Sequence, residues 1–126
     1  MKPLILCNHI NYTYHTLKQE TPALCDIHFR VNEGEFISIV GPSGCGKSTL
    51  LSLLCGLLQP ESGTVYFKGE PLSDKNRHSI GYMLQHDHLF EWRSVRKNIL
   101  LGLEIQKKIS EESLLEADHL LKLHGL

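Results

Sequence analysis

The chain has no apolar run long enough to cross a bilayer. The longest, Leu50–Leu58, covers nine residues, against the roughly 20 that a spanning helix requires. The opening "MKPLILCN" holds one lysine and too short a hydrophobic segment for a secretory signal. A cytoplasmic protein, or one on the cytoplasmic face of a membrane, is therefore expected. Excess charge is missing too. Thirteen Lys plus Arg stand against fourteen Asp plus Glu, which gives no electrostatic ground for nucleic acid or an acidic membrane as main partner. Cys7, Cys25, Cys45 and Cys55 contain no CxxC pair. They read as reduced thiols, mostly acting as small apolar side chains, rather than as a zinc site. Low-complexity tracts are absent and Leu, Ile, Val and Phe are frequent, which excludes disorder. Of the histidines only His86-Asp87-His88 cluster, and beside "LFEW" they read as a surface loop rather than a metal site.

What is present in the 126 residues is one domain or part of one. Leu4–Tyr14 is strand-like with imperfect alternation, and His15–Pro22 is a polar loop. In "LCDIHFRV", Cys25, Ile27, Phe29 and Val31 alternate with Leu24, Asp26, His28 and Arg30, which predicts a half-buried antiparallel strand. Asn32–Glu35 is a turn. The continuous run Phe36–Val40 is expected as a strand buried on both faces. Ser48–Leu57 suits a helix stopped by Gly56 and Pro60. Thr64–Lys68 and "SIGYML", with Ile80, Tyr82 and Leu84 on one face, read as further strands. Two helices follow, capped by Ser94 and Ser110, the second with Glu111 and Glu112 in its first turn and Gly125 at its C-terminus.

Between the run Phe36–Val40 and the helix stands "GPSGCGKST", Gly41–Thr49. Gly41-x4-Gly46-Lys47-Ser48 matches GxxxxGK[ST], and each residue type has a reason. Glycines let the backbone curl so that successive N–H groups point at an anion. The following helix aims its positive end at the same place. Lys47 adds a mobile ammonium for β- and γ-phosphates, and the Ser48 hydroxyl can ligate Mg²⁺.

Nearly the whole chain resembles the nucleotide-binding subunits of ABC transporters. The residues that carry the likeness are "NEGEFISIVGPSGCGKSTLLSLLCGLLQPESGTVYFKGEPL", then "IGYMLQHDHLFEWRSVRKNILLGLEIQ" and the closing "LLKLHGL". The resemblance implies an α/β P-loop NTPase fold. It would be an ABC-type nucleotide-binding domain with an N-terminal antiparallel β subdomain, truncated before the signature motif. Residues 1–90 would form the β subdomain and P-loop core, and 91–126 the start of the helical subdomain. The implied cofactors are ATP and Mg²⁺. Phosphate binding then falls to Gly41, Pro42, Ser43, Gly44, Cys45, Gly46, Lys47, Ser48 and Thr49. Tyr14 would stack on adenine, unless it packs on the core or Tyr12 takes the role. Gln85 matches the family's Q-loop and, with Ser48, would help ligate Mg²⁺ or the attacking water. The region after Gln85 would meet a transmembrane permease subunit, with Trp92 either docking there or anchoring the helical region. A second ATP-binding subunit would complete a dimer, peripheral to the cytoplasmic face of the membrane and without nucleic acid.

"LFEWRSVRKNILLGLEIQ" is most similar to importers of nitrate, sulfonates, bicarbonate and related solutes, which carry Pro-Trp where this chain has Glu91-Trp92. The family's signature motif, its apolar strand ending in Asp-Glu and its switch histidine are absent. "LLEAD", Leu114–Asp118, reads instead as an amphipathic helix face. The chain alone is thus expected to bind ATP without hydrolysing it, and to leave Phe36–Val40 without strand neighbours. Three alternatives remain open at this level: a guanylate-kinase-like phosphotransferase, a non-transport ABC ATPase, and a binding module without turnover.

Overall fold

The imperfect alternation at the N-terminus resolves into a hairpin. A computed structural model describes residues 2–86 and 88–126, so Asp87 of the histidine cluster lies outside the described residues. Strand β1 (Ile5–His15) pairs antiparallel with β2 (Glu20–Val31), from Ile5↔Val31 to His15↔Glu20. The connection is tighter than the polar stretch suggests. Thr16 Oγ1 donates to the Gln19 carbonyl at 2.8 Å and accepts the Gln19 N–H at 3.0 Å, closing a short side-chain turn.

Three irregularities break the register, the third where Ala23 has no partner between Tyr12↔Leu24 and Thr13↔Pro22. Asn8 and His9 together face His28, and Cys25 and Asp26 together face Asn11. His9 (φ 54°) and Asp26 (φ 49°) take the left-handed backbone. Asn11 bridges the irregularity: its Oδ1 accepts the Asp26 N–H at 2.8 Å and its Nδ2 donates to Ser62 Oγ at 2.9 Å. The second bulge shifts the inner face of β2. Leu24 is buried and Cys25 exposed, the reverse of a strict period of two. Cys45 is exposed as well, so of the four thiols only Cys7 is fully a core side chain. Burial pushes its pKa up to about 11.

Strand β3 (Ser62–Phe67) pairs with the other edge of β1, and β4 (Glu70–Pro71) completes an antiparallel sheet of order β2-β1-β3-β4. Gly63, at φ +83°, is required here, since a Cβ would stand 2.2 Å from the His9 carbonyl oxygen. Helix α1 (Lys47–Leu54) lays Leu50, Leu53 and Leu54 against Cys7, Ile10, Leu24 and Val65 of the sheet. It ends in a Schellman motif, with Leu57 N–H on the Ser52 carbonyl and Gly56 N–H on the Leu53 carbonyl.

Two expected strands do not form. Phe36–Val40 and Ile80–Leu84 carry no ladder hydrogen bonds and are not strands. Phe36 is 95 % and Val40 92 % exposed. An apolar run becomes a buried strand only where neighbours supply backbone partners on both sides, and the four-stranded sheet offers this run none.

The chain divides into two compact units, Met1–Tyr82 and Met83–Leu126. The second is helical. Ser94 Oγ accepts the Lys97 N–H and starts α2 (Val95–Ile99), which breaks at Leu100 into α3 (Leu101–Ile105). A capping box between Ser110 and Ser113 starts α4 (Glu111–Leu123), and a Schellman closure at Gly125 ends it. Arg96 holds Asp118 with two charge-assisted bonds, 2.5 and 3.0 Å, joining α2 to α4. Among the described residues no helix is long and apolar enough to cross a membrane.

Candidate functional site

In the first unit the loop Gly41–Gly46 leads into α1. Gly46 is the N-cap of the helix at φ +96°. Glycine is demanded twice at this point. The left-handed backbone disfavours any side chain, and a Cβ would lie 2.5 Å from the Ala23 carbonyl oxygen of β2. The hairpin thus abuts the back of the loop. Gly44 also has a positive φ, while Pro42, Ser43 and Cys45 are exposed. Gly41 is exposed too.

Lys47 folds back over the loop. Its Nζ donates to the carbonyls of Gly41 at 2.7 Å and Pro42 at 2.6 Å, with Cys45 Sγ at 3.6 Å. The ammonium therefore sits among exposed backbone at the positive end of α1, on groups that an anion's oxygens can replace. Ser48 is exposed on the first helical turn, its hydroxyl free for a ligand.

Thr49, one position on, turns inward and is only 7 % exposed. Its Oγ1 lies 3.0 Å from the Tyr14 hydroxyl, so the end of β1 is tied to the first turn of α1. Tyr14 is 42 % exposed and meets Tyr12 edge-to-face at 5.0 Å between centroids. Of the two tyrosines, Tyr14 is the one hydrogen-bonded to the P-loop helix. His15, next along β1, bridges Glu20 at 3.2 Å and Glu61 by a short contact. These carboxylates raise the His15 pKa, with Glu61 the larger influence, and His15 in turn lowers that of Glu61.

The structure thus gathers Tyr14 and Gly41–Thr49 in one unit. Gln85 is exposed in a bend of the second unit, after Leu84. In that unit Asn98 organises the loop that follows. Its Oδ1 accepts the Phe90 N–H at 2.9 Å, and its Nδ2 donates to the carbonyls of Phe90 and Arg93. Phe90 and Trp92 meet at 4.7 Å between centroids with their rings tilted by 42°, and Trp92 is 80 % exposed. Among the described residues no group of three or more His, Cys, Asp or Glu could hold a metal ion.

Two contacts went unread in the sequence: the Ala23 carbonyl behind Gly46, and the pairing of Tyr14 with Thr49. Both join β1–β2 to α1 across tens of residues, and neither has a local signal.

Known proteins share this arrangement. A family model described as "ABC transporter" matches residues 24–126. An uncharacterized ABC transporter ATP-binding protein of Bacillus subtilis, YtlC, is 49 % identical over 119 residues, covering 94 % of this chain and 45 % of the relative. The sulfate/thiosulfate import ATP-binding protein CysA of Bacillus cereus is 39 % identical over 82 % of this chain and 31 % of its own length. The energy-coupling factor transporter ATP-binding protein EcfA1 of Streptococcus pyogenes is 39 % identical, covering all of this chain and 47 % of its own. The chain therefore spans less than half the length of these relatives. Among solved structures, the ATP-binding cassette MJ0796, in a dimeric post-hydrolysis state bound to ADP and Pi, superposes with a TM-score of 0.81 at 29 % identity. That match covers 97 % of this chain and 57 % of the other.

Proposed function

The chain belongs to the ABC transporter family of ATP-binding domains, and from that premise we propose that it is the nucleotide-holding portion of an importer's ATP-binding subunit. The observation that carries this reading is Lys47, whose ammonium lies on the Gly41 and Pro42 carbonyls at the N-terminus of α1. Exchange of those carbonyls for phosphate oxygens gives the lysine stronger, charge-assisted bonds. The loop N–H groups and the helix dipole add to the same anion.

The residues present fit a nucleoside triphosphate with a divalent cation. Ser48 offers an exposed hydroxyl beside the lysine that would take the cation. The cation, when bound, screens phosphate charge. Tyr14 supplies a half-exposed ring for the base. The exposed Phe90–Trp92 pair after Gln85 offers an aromatic anchor to a permease subunit, on the cytoplasmic face of the membrane. A second ATP-binding subunit completes the assembly. The sulfate/thiosulfate import protein among its relatives supports a small anion as cargo.

Hydrolysis requires a positioned base and electrostatic help at the γ-phosphate. These 126 residues contain neither the Asp-Glu strand nor the signature motif, so by themselves they are expected to bind ATP without turning it over. Isothermal titration with Mg-ATP tests the binding, and phosphate release tests the turnover. The expected result is binding that Lys47→Ala weakens at least about tenfold, the loss of one charge-assisted contact of roughly 1.5–3 kcal/mol, with no release above background. Unchanged affinity in the variant, or release that Lys47→Ala abolishes, overturns the respective half of the proposal.

A further inference from the structure

We propose that Thr49 is a positioning residue for the base: through its hydroxyl it fixes the Tyr14 ring at the edge of the phosphate loop. The inference rests on the reading of Tyr14 as the stacking residue and adds the group that holds it.

Tyr14 stands next to last in β1, where a strand end gives its side chain little support. Two contacts fix the ring. Tyr12 meets it at 85° between ring planes, which limits rotation but leaves the far end of the ring unheld. The far end is the hydroxyl, and its partner is Thr49 Oγ1 at 3.0 Å. Thr49 is itself rigid. It lies in the first turn of α1, is buried, and is followed by Leu50 of the core, whose N–H donates to the Gly46 carbonyl at 2.9 Å. A β-branched side chain in a helix has few χ1 choices, so its hydroxyl is a fixed point.

The pairing has consequences on both sides. A buried hydroxyl without a partner is costly, so Thr49 has a reason to keep Tyr14 close. For Tyr14 the bond ties the ring to the same helical turn that carries Lys47 and Ser48. Base platform and phosphate cradle are then set by one element at a fixed spacing. A ligand that spans both benefits from that preorganisation, since the ring need not be ordered on binding. A ligand with phosphates alone does not.

This difference supplies the test. Mg-ATP and Mg-tripolyphosphate are titrated into the 126-residue chain and its Thr49→Val, Thr49→Ser, Tyr14→Phe and Tyr14→Ala variants, with thermal melts as a check on folding. Thr49→Val is expected to weaken ATP about fivefold more than it weakens tripolyphosphate, the worth of one hydrogen bond near 1 kcal/mol. Thr49→Ser restores ATP affinity. Tyr14→Phe removes the same bond from the exposed side, without disturbing helix packing, and reproduces Thr49→Val. In the double variant the two losses do not add.

Wild-type ATP affinity in both Thr49→Val and Tyr14→Phe overturns the inference. Equal weakening of ATP and tripolyphosphate by Thr49→Val also overturns it, because the hydroxyl then acts on phosphates and not through the ring. Failure of the underlying reading looks different: Tyr14→Ala then leaves the ratio of ATP to tripolyphosphate affinity at its wild-type value, or the wild-type chain binds neither.

Discussion

At the scale of single residues, Gly46 carries the strictest demand. Alanine there meets a left-handed φ and the Ala23 carbonyl, which is backbone and cannot rotate away. Gly44 has a positive φ but open space around it. Gly44→Ala should cost about 1–2 kcal/mol, the left-handed penalty alone. Gly46→Ala should cost more, because hairpin and loop must move apart as well. Urea denaturation of both variants separates the terms, and equal losses would show that the Ala23 contact has no weight. The two glycines also mark what a sequence can disclose. Gly41, Gly46, Lys47 and Ser48 fall within eight consecutive residues, so their spacing alone identifies a phosphate loop. That Thr49 faces Tyr14 depends on how α1 packs on the sheet, 35 residues away in sequence, and no local pattern encodes it.

At the scale of elements, the end of the hairpin is fastened to the start of β3 by His15 and Glu61. The His15 pKa is raised above its ordinary 6.5, so its share of stability is present below that pH and is lost as pH rises through the folded value. The Glu61 pKa is lowered from 4.5, so its share is present above that pH and is lost as pH falls through its folded value. The clamp is therefore strongest between about pH 4.5 and 6.5. Thermal melts across that range should show a shallow stability maximum that His15→Gln flattens, and an unaltered pH profile in the variant would rule the clamp out. Both groups are exposed, so the effect is small and should weaken with salt. Elements that rest on local rules were legible beforehand: the strand character of β1 to β3, the Ser94 and Ser110 caps, the Gly56 and Gly125 stops. Cys25 was misplaced because a bulge at Asp26 is a response to the partner strand. The apolar face of β2 starts at Leu24 for that reason.

At the scale of the whole molecule, the informative feature is the run Phe36–Val40. Composition marks it as a buried strand, but burial belongs to the neighbours of a run and not to the run itself. In this chain Phe36, Ile37, Ile39 and Val40 are exposed and their backbone lies outside the sheet. Unpaired N–H and C=O groups beside apolar side chains form a template for another strand, and a solvated apolar patch favours association. With a formal net charge of only −1, electrostatic repulsion between copies does little to oppose it. The 126-residue chain on its own should therefore self-associate as its concentration rises. Replacing Phe36→Lys together with Ile37→Thr adds a charge to the run and removes two apolar side chains. Neither residue belongs to the core of the first unit, so the thermal melt should stay near wild type while the association is suppressed. Sedimentation velocity over a concentration series decides the matter. A wild-type mass that grows with concentration, and a variant that stays monomeric, mean that the run recruits a partner strand. A wild-type chain that is monomeric throughout means that water solvates the run at a tolerable cost, and that exposure of this segment has no bearing on how the molecule assembles.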